Sequence, residues 1–223
     1  MIPWVQIDTA EIPGEAGTLR LMRRGTEFSI MIGGNELMNS RLSGSEEALA
    51  TLTATALGER PAPSYLIGGL GMGFTLRAAL SILPPTASVT VCELVPAVAA
   101  WASGPLAPVF GRSLDDRRVE LVTGDVGATI ASAKDRFDAI LLDVDNGPAG
   151  LTRAANGGLY STDGLAAARN ALRPGGILAV WSSAPAPSFG ARLKRSGFSV
   201  TEETVRAGRG SGARHVIWLA RRA

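Results

Sequence analysis

Histidine and cysteine are nearly missing from this chain of 223 residues, where His215 and Cys92 stand alone. One cysteine excludes a disulfide framework and a thiolate metal site. One histidine excludes a metal centre built on several histidines, and a Ser-His-Asp arrangement would have to rest on His215, whose place in the last strand suits a structural role. Aromatics are scarce, at 5%. Charge of one sign is not in excess either: 22 Lys and Arg against 20 Asp and Glu leave a formal +2. The pI near 9.1 therefore reflects a small basic surplus rather than a basic face. No Lys/Arg cluster is interleaved with aromatics, and ARHVIWLARRA is a strand end with a basic tail, so no nucleic-acid partner is expected. No apolar run approaches membrane-spanning length, and the opening MIPWVQIDTAEIPG has neither a basic nor an apolar leader region. A cytoplasmic location without membrane contact is the expectation. Internal repeats and low-complexity tracts are absent as well.

What is present is apolar and patterned. Hydrophobic residues make up 46% of the chain, ample for the core of one α/β domain with a small appendage. The most informative stretch is SYLIGGLGMGF, Ser64 to Phe74, an apolar run that breaks into Gly68, Gly69, Gly71 and Gly73. Glu93 follows twenty residues after Gly73, at the end of SVTVCE. A buried strand, a glycine turn, a helix and a second strand ending in an acid form the nucleotide-binding half of a doubly wound fold. Gly69, Gly71 and Gly73 let backbone approach a ligand, and the acid accepts from both ribose hydroxyls. The pattern predicts a site for an adenosine-containing cofactor.

Around this centre the chain divides into a β-rich start, 1–60, and an alternating region, 61–223. WVQIDTAEI, GTLRLMRRG and EFSIMIGG predict a small antiparallel unit, with Met22, Met31 and Met38 in its core. NELMNSRLSG leads to a helix in SEEALATLTATALGER, with Ser45 as N-cap and two glutamates at its positive end. Arg60-Pro61-Ala62-Pro63 closes that helix and marks the boundary. Strands are then expected at SYLIGG, SVTVCE, RVELVTGD, RFDAILLDVD and ILAVWSS, with helices between them. STDGLAAARNALR is a capped helix ended by Pro174-Gly175-Gly176, and FSVTEETV with RHVIWLARR closes the chain as an antiparallel pair. Alternating β and α elements require a parallel sheet.

Ligands sit outside the carboxyl ends of the strands in such sheets, and four ends in succession carry chemistry. They are the glycine turn, Glu93, Asp125 in TGDV and Asp143 in LLDVDNGP. Asp125 is placed to accept from an adenine amino group, and equally to cap the helix starting at Val126; the two roles are compatible. Asp143 and Asp145 are the candidate reaction centre. Paired acids bind a cationic amine with one member and take its proton with the other, and mutual repulsion raises one pKa. The same residues, Asp-Asn-Gly-Pro, also favour a plain turn. Blander roles suit the remainder: His215 structural in the last strand, Cys92 a small buried side chain, and Trp101 and Trp181 packing or flanking the ligand. Tyr160, between Gly-Gly and a helix cap, admits either role.

YLIGGLGMGFTLR resembles the cofactor loop of the spermidine synthases, and LLDVDNGPAG resembles their Asp-rich loop before Gly-Pro. GGLYSTDGLAAARNALRPGGILAVW resembles the segment that follows, and the β-rich start with NELMNSRLSGSEEAL looks like that family's small N-terminal domain. The resemblance implies a Rossmann-like methyltransferase fold: a parallel sheet, a terminal antiparallel hairpin and an N-terminal β appendage. It further implies a homo-oligomer that moves an aminopropyl group from decarboxylated S-adenosylmethionine to a small-molecule amine, without a metal; the exposed edge of the N-terminal β unit makes a homodimer the expectation. In that scheme Asp143 deprotonates the acceptor, Asp145 helps bind it and Tyr160 lines the channel. The chain departs from the pattern at three places. Leu70-Gly71-Met72 carries no acid, Ala48-Leu49-Ala50-Thr51-Leu52 stands where a Tyr-His-Glu run is expected, and the Asp-rich loop is shortened to DVDNGP. Two further readings stay open: methyl transfer from S-adenosylmethionine to a small acceptor, although Ile67 replaces the acid usual before the glycines, and a non-catalytic nucleotide-binding module.

Overall fold

The computed structural model describes residues 2–14, 17–144, 147–148, 157–208 and 212–223. Two sheets organise them. The smaller is a four-stranded antiparallel meander, β1 (Val5–Glu11), β2 (Thr18–Arg24), β3 (Glu27–Ile32) and β4 (Asn35–Asn39). Arg24 pairs with Glu27 and Ile32 with Asn35, so two-residue turns at Gly25-Thr26 and Gly33-Gly34 join the strands. Both leading glycines have φ near +60° (61° and 54°), the hand that matches strand twist. β4 was not foreseen, because Asn35 and Glu36 are exposed and give a short polar strand no apolar alternation. Leu19, Leu21, Phe28 and Ile30 point inward. Met38 packs on that core, whereas Met22 and Met31, expected inside, fall on the opposite face of the alternation.

The helix α1 (Gly44–Leu57) follows. Its cap is Ser43 rather than Ser45, and the Ser43 hydroxyl donates to Glu47 at 2.8 Å. Gly44 accounts for the shift. Its N–H donates to the Ala207 carbonyl at 2.8 Å, and a Cβ there would lie 3.0 Å from the backbone of Gly208. That close approach starts the helix two residues early and turns Ser45 into the interior. α1 packs on the larger sheet, burying Leu49, Ala50, Thr53 and Leu57.

The larger sheet has seven strands: β5 (Ser64–Gly68), β6 (Ser88–Glu93), β7 (Val119–Thr123), β8 (Phe137–Leu142), β9 (Leu172–Ser182), β10 (Phe198–Arg206) and β11 (Arg214–Arg222). Their spatial order is β10-β11-β9-β8-β5-β6-β7, parallel except for β11, which runs antiparallel to both neighbours. The helices are α2 (Phe74–Ile82), α3 (Pro96–Ser103), α4 (Ala107–Phe110), α5 (Val126–Ala131), α6 (Thr162–Ala171) and α7 (Pro187–Arg195). Ser161 caps α6, accepting from the Gly164 N–H at 3.1 Å. That helix ends before Leu172, so Pro174-Gly175-Gly176 lies inside β9 instead of terminating the helix. Phe137 and Ala139 pair with Leu172 and Ile177, and the extra residues bulge out between them.

Alternation along the central strands feeds two cores. Tyr65, Ile67, Val91 and Leu141 face α1 to α3 and the small sheet, while Leu66, Ile140, Leu178 and Trp218 face α5 to α7. Each large apolar side chain buried in this way contributes roughly 1.5–3 kcal/mol. Trp101 of α3, 2% exposed, donates from Nε1 to Asp8 of β1 at 2.6 Å and pins the small sheet to the large one. No helix among the described residues is long and apolar enough to cross a membrane.

Candidate active site

The carboxyl ends of β5, β6, β7 and β8 open into one cavity, roofed by the small sheet and by the start of α1. Gly69 (φ 89°) donates its N–H to the Cys92 carbonyl at 2.9 Å, locking the glycine loop to β6. A Cβ at Gly69 would overlap the Asp143 carbonyl oxygen, so only glycine lets β5 and β8 release their ends side by side. Gly73 (φ 75°) caps α2 in the left-handed region with the Phe110 ring against its Cα.

Glu93, 8% exposed, accepts from the N–H groups of Leu70 at 3.0 Å and Val95 at 2.8 Å. Burial pushes its carboxyl upward, opposed by these amides and those of Gly71 and Leu94. Glu93 therefore clasps the glycine loop. Glu93 also lines the cavity, so a hydroxyl bound there would share a carboxylate that the loop amides already engage. Asp125 lines the same cavity and accepts from the Gly127 N–H at 2.9 Å, capping α5.

Asp143 follows β8 and accepts from the Thr75 hydroxyl at 2.7 Å. Burial first, then the negative charge of Glu46, pushes its carboxyl up to about 7, against the lowering effect of Thr75. Burial also raises Glu46, whose Oε2 accepts from the Ser45 hydroxyl at 2.7 Å. With that proton committed, the His215 Nδ1–H donates to Ser45 Oγ, 2.9 Å away. Burial pulls the His215 imidazole downward, and its ring meets Trp181 edge-on at 4.7 Å. His215 is thus structural, one step behind a carboxylate of the site. Trp181 lines the cavity, and its buried Nε1 has no partner among the described residues.

The sequence residues therefore meet, with exceptions. Gly69, Gly71, Gly73, Glu93, Asp125 and Asp143 share the cavity. Asp145 lies outside the described residues. Tyr160, expected along a channel, is 1% exposed; its ring packs edge-on against Phe189 and its hydroxyl donates to the Val144 carbonyl at 3.4 Å. Trp101 is a core residue away from the lining. Cys92 is buried with its thiol pushed up and Sγ 3.3 Å from the Thr129 hydroxyl, an inert packing residue. Glu46 was missed: at the start of a helix, an acid reads as a complement to the helix dipole. Among the described residues no group of His, Cys, Asp and Glu is arranged to hold a metal.

The strand order and the single antiparallel strand β11 define the class: a Rossmann-like, methyltransferase-type α/β fold carrying an N-terminal β unit. Known proteins then narrow it. No family model matches the chain. The polyamine aminopropyltransferase of Korarchaeum cryptofilum is 30% identical over 124 residues, 56% of this chain and 36% of that protein. That of Mycobacterium tuberculosis is 35% identical over 129 residues, 56% and 23% respectively. Polyamine aminopropyltransferase 1 of Streptomyces coelicolor is 32% identical over 151 residues, 64% and 27%. The aligned part therefore spans well under half of each relative. The Thermotoga maritima spermidine synthase superposes with a TM-score of 0.74 at 16% identity, covering 98% of this chain and 72% of that one. A spermidine synthase in complex with the transition state analogue AdoDATO gives 0.73 at 17%, with the same coverage. The resemblance to spermidine synthases read from the motifs is borne out in sequence and in fold.

Proposed function

We propose that the chain is a transferase that moves an aminopropyl group from decarboxylated S-adenosylmethionine to a small amine. One observation carries this reading: the described lining of the cavity holds four carboxylates, Glu46, Glu93, Asp125 and Asp143, and no Lys, Arg or His. Such a wall suits a donor with a sulfonium and an ammonium and no carboxylate. It disfavours S-adenosylmethionine, whose carboxylate would meet only like charge. The curated relatives named polyamine aminopropyltransferase support the same choice.

The donor supplies a sulfonium, whose positive charge makes the sulfur a good leaving group. Gly69 and Gly71 bring backbone to it, Glu93 accepts from the ribose and Asp125 from the adenine amino group. Asp143, held by Thr75, accepts the proton of the incoming amine; a carboxyl near 7 is matched to that task. The amine nitrogen bonds to the propyl carbon, the carbon–sulfur bond breaks with its electron pair on sulfur, and methylthioadenosine departs. Positioning and one proton transfer suffice, with no metal. A homodimer in the cytoplasm completes the reading. The edge strand β1 leaves Val5 54% and Ile7 40% exposed, suited to a second copy.

Calorimetric titration of the purified protein tests this. Decarboxylated S-adenosylmethionine is expected to bind at least about tenfold tighter than S-adenosylmethionine, since a single uncompensated carboxylate costs about 1.4 kcal/mol or more. The reverse order would move the protein to methyl transfer. Binding of neither, nor of methylthioadenosine, would leave a non-catalytic module.

A further inference from the structure

We infer that the acceptor carries one cationic centre and an apolar tail rather than a second ammonium; this rests on the aminopropyl-transfer reading above. The described carboxylates of the cavity sort by the partners they already have. Glu93 is held by the amides of Leu70 and Val95, and Asp125 caps α5. Glu46 and Asp143 line the same cavity with one hydroxyl partner each, Ser45 and Thr75, and the charge of Glu46 acts on Asp143. Thr75 ties them together, its hydroxyl 2.7 Å from Asp143 Oδ2 and 3.4 Å from the Glu46 carbonyl. A buried carboxyl whose proton affinity a neighbouring anion raises is relieved by cations, and the reaction brings two: the donor's terminal ammonium and the acceptor's nucleophilic amine.

Nothing in the described wall provides for a third. The small sheet presents Leu19, Ile30, Ile32, Leu37 and Met38 to the cavity, with Ile12 just past β1; its one described polar lining residue, Asn39, accepts from the N–H groups of Arg41 and Leu42 and donates to Glu36. Four residues separate β4 from α1, and Glu46 lines the same cavity as this apolar surface. An ammonium placed there would lose its water and gain no carboxylate among the described residues, whereas methylene groups gain from burial. Glu46 thus becomes a binding residue for an amine head, and the small sheet a selector for its tail.

The test is methylthioadenosine release by the purified protein at saturating decarboxylated S-adenosylmethionine, with butylamine, hexylamine and octylamine beside the α,ω-diamines of equal length. For the monoamines kcat/KM is expected to rise about fourfold per added methylene. Each should exceed its diamine by at least about tenfold. In Glu46→Gln the amine KM should rise far more than kcat falls. Leu37→Glu, at a half-exposed strand position, should shift preference towards diamines. A wild-type preference for diamines with methylthioadenosine released overturns the inference and leaves aminopropyl transfer standing. Monoamine rates independent of chain length, or a Glu46→Gln variant with unchanged amine KM, overturn it in the same way. No release with any amine, together with no binding of the donor, overturns both.

Discussion

The two sides of the cavity are built on different principles. The floor comes from consecutive strand ends of one parallel sheet, where each functional residue sits at a local break between a strand and the next helix. The roof comes from a separate antiparallel sheet and the first turn of α1, whose residues reach the site only through packing. Chemistry on the floor is therefore written into short motifs. Selectivity in the roof is written into surfaces, which can change without disturbing the floor.

Asp143→Asn should break the comparison most severely. Turnover is expected to fall by roughly 10²–10⁴-fold with donor affinity retained, the range for a lost general base. In the wild-type protein kcat/KM should rise with pH through about 7 as Asp143 deprotonates, and the variant should lack that limb. The stability effect has the opposite sign. The folded carboxyl titrates above its ordinary 3.8, so the folded state holds the extra proton and its stability falls as pH rises from about 4 through 7. At pH 8 the inactive variant should thus melt above the wild-type protein. An equal or lower melting temperature would show that Asp143 is not held protonated by its surroundings.

Gly73→Ala comes next. A left-handed φ at a non-glycine residue and a Cβ against the Phe110 ring should together cost roughly 2–4 kcal/mol, read by denaturant unfolding. Glu93→Gln should leave the amine KM unchanged while weakening donor binding about 10–100-fold, because charge-assisted bonds to the loop amides are worth roughly 1.5–3 kcal/mol. An equal loss for amine and donor would mean that floor and roof are not separable. The smallest effect is expected from Trp101→Phe, which keeps the buried ring but removes the bond to Asp8. Activity should persist while hydrogen exchange in β1 and β2 quickens; unchanged exchange would deny that bond its role in holding the roof.

How much of this was legible beforehand follows the same division. The glycine turn, Glu93, Asp125 and Asp143 could be read because each ends an apolar run at a spacing that only a strand–turn–helix unit satisfies. β4 could not, since two of its five residues are exposed polar groups and the strand exists only through pairing with β3. Ser45 offered a good cap in isolation, but backbone contact between Gly44 and Ala207–Gly208, far away in the chain, moved the start of the helix. Tyr160 was a channel residue only by resemblance, its flanking glycines admitting either role, and its ring packs edge-on against Phe189. Pro174-Gly175-Gly176 looked like a helix stop and became a bulge.

The sequence by itself determined the parallel sheet, the edge at which ligands meet it and the acids on that edge, because hydrophobic period and turn chemistry are local properties of the chain. The insertion of β11 between β9 and β10, the Glu46–Asp143 pair and the apolar roof were decided only by the tertiary structure. A carboxyl acquires a raised pKa, and a cavity its selectivity, from neighbours that burial brings together across many residues of sequence, and no window along the chain contains both partners.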